Sequence, residues 1–142
     1  MVEDKVGIKE YLGIKINYSN ERNLDRFSLD TLKDRYLWEN ETHAQEAFAR
    51  AAVFSATYKG HTDFELAQRL YHYSSSCWFM FSTPILSNGG TSRGLPISCF
   101  LNYVPDSRGG LSDHFDENIW LASSGGGIGG YWGDIRSNGI ST

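Results

Sequence analysis

A chain of 142 residues can form one ordinary domain with a real core, and an apolar share of 40% with 14% aromatic residues excludes a disordered one. The net charge of −4 argues against electrostatic binding of nucleic acid. No apolar run reaches transmembrane length and "MVEDKVGIKEYLGIK" lacks the apolar core of a signal peptide, so no membrane partner and a cytoplasmic, reducing setting are expected.

Residues 1–27 read as a polar, weakly patterned segment with "YSNERN" as a turn. From Ser28 the pattern becomes helical, with Ser28 as cap and Leu29, Leu32, Tyr36 and Leu37 on one face. Two capping boxes follow, each pairing a Thr hydroxyl with an amide side chain or carboxylate three residues on. Thr42 with Gln45 would open "HAQEAFARAAVFSATY". Thr62 with Glu65 would open "DFELAQRLYHYSSSCWFMF", in which Phe64, Ala67, Tyr71, Ser74, Trp78 and Phe81 recur at helical spacing. The intervening "KGHTD" is a short helix–helix connection. Residues 28–81 are thus expected to form a helical domain.

After Phe81 the composition shifts. "STPILSNGGTSRGLP" reads as loop, with an extended piece at 84–86. "ISCFLNYV" is a buried-strand candidate that stops at Pro105. A helix is expected from Asp113, its cap, to Ser123, with Phe115, Ile119 and Ala122 facing inward. The run "SSGGGIGGYWGDIR" ends that helix, and "GIGGYWGDIR" supplies a second strand. Strand, helix and strand joined by a glycine-rich connection point to an α/β unit over residues 82–142.

The candidate chemistry begins with that glycine run. A phosphate-cradling loop, a flexible turn and a tight packing seam would all look alike, and the run matches neither a P-loop nor a dinucleotide fingerprint. Cys77 and Cys99 are expected as thiols, too few and too widely spaced for a zinc site. Cys77, in the helix, reads as structural. Cys99 reads as a core thiol or as a redox thiol that needs a partner within reach. Asp106 is either a turn residue or a ligand-facing carboxylate at the end of a strand. Arg136 either grips phosphate or pairs with Asp134. His43, His61, His72 and His114 share no metal-ligand spacing, so no metal site is expected.

Four stretches in this order and spacing, "LKDRYLWENETHAQEAFARAA", "FSTPILSNGGT", "ISCFLNYVPDS" and "ASSGGGIGGYWGDIRSNG", resemble the large, catalytic subunit of ribonucleotide reductase. The resemblance runs from about Ser28 to the last residue. It implies an N-terminal helical domain followed by the first strands and helix of a ten-stranded α/β barrel, incomplete in this chain. The implied activity is reduction of ribonucleotides, as diphosphates, to deoxyribonucleotides by radical chemistry. In this resemblance Cys99 matches the cysteine that delivers reducing equivalents to the ribose 2′ position and becomes half of a disulfide. Its partner comes much later in the family's chain, so Cys77 is not implicated. Thr83 and Ser98 match substrate contacts, and Gly126 and Gly127 match backbone that lies against the substrate. Asp106 matches the residue that binds the effector's deoxyribose, and Arg136 a cation facing the effector's phosphates.

The resemblance also implies partners: the remaining part of the large subunit, a radical-generating di-metal small subunit (or adenosylcobalamin in its place), and thioredoxin or glutaredoxin as reductant. An ATP or dNTP effector and a dimer of the complete subunit are implied too, with no cofactor held by this chain itself. The family's radical-bearing cysteine, its Asn-x-Cys-x-Glu segment and the disulfide partner have no counterpart in these residues, and no ATP-cone domain fits within the first 27. The expectation is therefore an N-terminal piece of a split, interrupted or truncated reductase, inactive alone. The alternative is a non-catalytic nucleotide-binding or assembly module derived from the same enzyme.

Overall fold

A computed structural model of the chain describes residues 6–140. Residues 1–5, at the start of the segment expected to be polar, and 141–142, at the end of the expected α/β portion, lie outside the described residues. The chain divides into two compact units, Met1–Pro96 and Ile97–Thr142.

The first unit opens with an antiparallel hairpin, β1 (Ile8–Tyr11) and β2 (Ile14–Asn17), closed by Leu12 and Gly13 with φ of 51° and 82°. Glycine suits the second position doubly, because a Cβ on Gly13 would lie 2.5 Å from Cε1 of Phe64. Ile14 and Ile16 point into the core while Lys15 between them is exposed. A single 3-10 helix, Tyr18–Asn23, follows, with the Asn17 side chain accepting the Ser19 N–H. The expectation of an unpatterned segment is corrected here. Its inward alternation covers only four residues, too few to stand out in the sequence.

Helix α1 (Arg26–Arg35) is capped by Asp25, whose carboxylate accepts the Ser28 N–H at 2.7 Å, so Ser28 lies inside the helix rather than at its cap. The first expected capping box shifts by one residue, to His43 and Glu46, and the second is replaced by a plain cap at Asp63. Helix α2 (Ala44–Ser55) is opened by Glu46, whose Oε2 accepts the N–H groups of Thr42 and His43 at 2.7 and 3.1 Å. Glu21, from the 3-10 helix, accepts the Ala44 N–H at 2.8 Å. Helix α3 (Phe64–Ser75) is capped by Asp63, which accepts the Leu66 N–H. Carboxylates win both places because a charged acceptor bonds a free N–H more strongly than a neutral oxygen. "KGHTD" does more than connect: β3 (Thr57–Tyr58) and β4 (His61–Thr62) make a two-rung hairpin around Lys59 and Gly60.

Helix α3 also stops sooner than its periodicity predicts. Cys77 takes φ of 61°, in the left-handed region, so Trp78 and Phe81 fall outside the helix; Phe81 is buried and Trp78 exposed. The stretch expected as loop with an extended piece at 84–86 instead folds as α4 (Thr83–Asn88), with Pro84 in its first turn, where a missing N–H costs nothing. Helix α4 packs on α2, so the composition shift at Phe81 lies inside the first unit. The core centres on α2, where Ala44, Ala47, Ala51 and Ala52 admit close neighbours around Phe48, Ile16, Tyr71 and Leu86.

The second unit holds β5 (Cys99–Tyr103), α5 (Arg108–Ser123) and β6 (Gly127–Tyr131), with β5 and β6 parallel from Cys99↔Gly127 to Tyr103↔Tyr131. This is the expected strand–helix–strand unit. Helix α5 starts at Arg108 rather than near Asp113, because the Ser107 side chain accepts the Gly110 N–H at 2.9 Å and caps it there. Its packed face carries Gly110, His114, Asn118 and Leu121, one residue before the expected stripe. Phe115, Ile119 and Ala122 are therefore exposed, not inward. Among the described residues, no helix is long and apolar enough to cross a membrane.

Candidate functional site

The parallel register assembles one end of the second unit. Cys99 is the first residue of β5 and lies opposite Gly127, the first of β6. The Gly127 N–H donates to the Ser98 carbonyl at 2.7 Å, locking the entry of both strands. Ser98 Oγ stands 3.8 Å from Cys99 Sγ, and the Cys99 side chain is exposed. Cys99 is therefore not a core residue of the described chain.

The glycines here have separate reasons. Gly125, with φ of 82°, ends α5 in the left-handed region. Gly126 is a close approach: a Cβ there would sit 2.2 Å from Cε2 of Phe100 and 3.2 Å from the Leu121 carbonyl oxygen. At Gly127 a Cβ would meet nothing nearer than the Ser98 carbonyl at 3.6 Å, and the residue is exposed. Of the three readings open for this run, the packing seam is therefore real at Gly126. Gly127, beside Cys99, leaves bare main chain open to another molecule.

Asp106 and Arg136 sit together beyond the opposite end of β5. Four strand steps of about 3.3 Å put that end roughly 13 Å from Cys99. Arg136 Nε donates to Asp106 Oδ2 at 2.6 Å and Nη2 to the Asp106 carbonyl at 3.0 Å. Arg136 thus pairs with Asp106 and not with Asp134. The Asp134 carboxylate near Tyr103 instead raises the pKa of that phenol above its ordinary value. Tyr103 and Tyr131 stack across the two strands, 6.2 Å apart with planes at 20°.

Thr83 belongs to the first unit, at the start of α4, and is exposed. Its Oγ1 lies 3.3 Å from the Tyr36 hydroxyl, and its carbonyl accepts from Ser87 Oγ at 2.8 Å. Beneath α4 lies Arg50, whose guanidinium is buried against Glu41, Nε to Oε1 at 2.7 Å and Nη2 to Oε2 at 3.1 Å. Arg50, Glu41 and Tyr36 were missed as site residues in the sequence. The signal was present in "AQEAFARAA": an arginine among alanines on a helix packed on several sides must find its counter-charge inside the fold. Cys77, expected in a helix and structural, is exposed in the turn after α3, its Sγ 3.8 Å from the Asn23 carbonyl oxygen.

A second buried network ties the hairpin to α2. Tyr18 donates to Glu46 Oε1 and Tyr71 to Gln45 Oε1, both at 2.8 Å, and the Tyr71 hydroxyl accepts the Asn17 N–H at 2.7 Å. Burial raises the pKa of Tyr71, and burial with the Glu46 hydrogen bond raises that of Tyr18. Burial, with help from Glu41 and Glu46, pushes Tyr11 up to about 12.

Comparison with known proteins places the chain in one family. A profile of the "Ribonucleotide reductase, all-alpha domain" family matches residues 22–94, within the first unit. The ribonucleoside-diphosphate reductase large subunit of Invertebrate iridescent virus 6 is 40% identical over 116 residues, covering 82% of this chain and 12% of that protein. The same-named protein of Invertebrate iridescent virus 3 is 45% identical over 116 residues, covering 82% of this chain and 18% of that one. Among solved structures, the class Id ribonucleotide reductase alpha subunit of Actinobacillus ureae matches with a TM-score of 0.69 and 36% identity, over 83% of this chain and 22% of its own. The chain therefore spans under a fifth of the length of these two viral relatives.

Proposed function

The chain belongs to the ribonucleotide reductase family, as part of a large subunit that includes the all-alpha domain, and on that premise we propose that it serves the reduction of ribonucleotides to deoxyribonucleotides. Diphosphates are the substrates we assign, in keeping with the names of the viral relatives. The β5–α5–β6 unit is, in this reading, the opening of the ten-stranded α/β barrel.

Cys99 is the proposed redox residue. Two thiols give up two electrons and two protons; the ribose 2′ C–O bond breaks, a C–H bond forms, water leaves, and a disulfide closes. The second thiol comes from elsewhere in the large subunit, and Cys77 takes no part. Ser98, Thr83 and the main chain at Gly126 and Gly127 contact the substrate, while Asp106 and Arg136 bind the sugar and phosphates of an ATP or dNTP effector. The starting radical is supplied from outside this chain, by a di-metal small subunit or adenosylcobalamin, and thioredoxin or glutaredoxin restores the thiols. The complete subunit works as a dimer.

The observation that supports this reading most directly is the register at the strand entry. An exposed thiol stands opposite exposed glycine main chain, so a nucleotide can touch both without an intervening side chain. The test is Cys99→Ser in the large subunit of which this chain is part, supplied with its radical source and reductant. Turnover is expected to fall to background while nucleotide binding persists. Retained turnover would overturn the assignment and favour a nucleotide-binding or assembly module.

A further inference from the structure

Arg50 lies under α4, and its donors are distributed in a way that a simple buried ion pair does not require. Nε and one Nη2 hydrogen engage both oxygens of Glu41. The guanidinium also reaches backbone: Nη1 donates to the Gly89 carbonyl at 2.7 Å, and Nη2, whose two hydrogens serve three acceptors, reaches the carbonyls of Leu86 and Tyr36 at 3.1 and 3.0 Å. One guanidinium therefore holds the last turn of α4 and the residue after α1. From the second of those points the Tyr36 hydroxyl reaches the Thr83 Oγ1 at 3.3 Å. Tyr36 and Thr83 line one groove with Leu32, Phe81 and Leu86.

Helix α4 needs such a hold. Six residues are far fewer than the roughly 12–15 at which an isolated helix becomes even marginal, so its geometry is imposed from outside. The seat is tight: a Cβ on Gly89 would meet the Ile85 carbonyl at 2.5 Å and Cδ1 of Phe54 at 2.7 Å, and one on Gly90 would meet Cγ of Arg50 at 3.1 Å. An apolar side chain at position 50 could fill the volume. It could not donate to three carbonyls, which would be left without the donor that orients them. What Arg50 adds is direction.

We propose that Arg50 and Tyr36 are positioning residues for the substrate: Arg50, held by Glu41, fixes α4 and the Tyr36 backbone, and the Tyr36 hydroxyl sets the Thr83 side chain in the orientation that meets the nucleotide. This rests on the reading of Thr83 as a substrate contact.

Steady-state kinetics of the complete, radical-supplied reductase test it with Tyr36→Phe, Thr83→Val, the two combined, and Arg50→Lys. Tyr36→Phe is expected to raise KM for the ribonucleotide about three- to ten-fold, the equivalent of one net hydrogen bond, with kcat and the melting temperature unchanged. The combined variant should have the KM of Thr83→Val alone, because Tyr36 acts through Thr83. Arg50→Lys, which keeps a charge beside Glu41 but loses the fork, should also raise KM more than it lowers kcat. If Thr83→Val raises KM while Tyr36→Phe does not, or if their effects multiply, the positioning role is overturned and the Thr83 contact stands. An unchanged KM in Thr83→Val would overturn the contact and the positioning role with it.

Discussion

Replacing Arg50 with methionine isolates what the buried guanidinium contributes to the fold. The Arg50 and Glu41 side chains are 5% and 3% exposed, so Arg50→Met leaves an uncompensated carboxylate in the interior. Breaking a buried pair from one side costs about 3–5 kcal/mol, a large part of the roughly 5–15 kcal/mol that keeps an ordinary domain folded. The instructive control is Glu41→Leu with Arg50→Met. An isolated ion pair exchanged for two apolar residues would return to near wild-type stability. Here the carbonyls of Leu86 and Gly89 lose their guanidinium donor, and the Trp38 N–H loses the Glu41 oxygen it reaches at 2.8 Å. At about 1–3 kcal/mol for each of the two buried carbonyls left unpaired, the double variant should stay about 2–6 kcal/mol below wild type. Urea unfolding followed by far-ultraviolet circular dichroism reads both. With a slope of about 2 kcal/mol per molar urea, both variants should lose roughly 1–3 M in midpoint. A double variant that regains the wild-type midpoint would refute the backbone clamp. A single variant within the error of wild type would refute the burial argument altogether.

Gly126→Ala should cost about 1–3 kcal/mol by thermal melting, since its Cβ would overlap the Phe100 ring, whereas Gly127→Ala should be close to neutral; equal stability of the two would contradict the seam. Tyr11, raised from 10.0 to about 12 in the fold, stays protonated where the unfolded chain has released its proton. The folded state then binds more protons, so stability present below pH 10 should be lost as pH rises towards 12, by about 2–3 kcal/mol. Tyr11→Phe should flatten that loss in urea titrations across this range, and an unchanged slope would remove Tyr11 as its source. The Asp106–Arg136 pair is only partly shielded, with side chains 32% and 27% exposed, so Arg136→Gln should change stability by less than about 1 kcal/mol. The same variant should blunt the effector's control of substrate choice, and an intact response in competition assays with mixed substrates would count against the effector role.

Helical periodicity carried much of the first unit, and its errors are physical ones. The start of α2 was displaced by one residue because Glu46, not Gln45, turns back to the free N–H groups, and a carboxylate outcompetes an amide there. In α5 the apolar stripe of Phe115 and Ile119 was visible in the sequence, but the face that packs carries Gly110, His114 and Asn118, residue types that an apolar pattern does not pick out. The hairpin went unseen because Ile14 and Ile16 are its only fully inward apolar pair. The site followed the same division. Spacing along the chain names Cys99 and the glycine run, but only the parallel register sets Cys99 against Gly127. That Asp106 meets Arg136, thirty residues on, or that Arg50 reaches α4, depends on turns whose geometry no local pattern encodes.

The direct measurement is the redox state of the two cysteines across one turnover. The complete reductase would be pre-reduced, freed of external reductant, given one equivalent of ribonucleotide, quenched with an alkylating reagent and mapped by peptide mass spectrometry. The expected result is that Cys99 becomes resistant to alkylation and is recovered in a disulfide with another cysteine of the large subunit, while Cys77 alkylates equally before and after. Equal alkylation of Cys99 before and after product formation would contradict its role as the thiol that reduces the ribose.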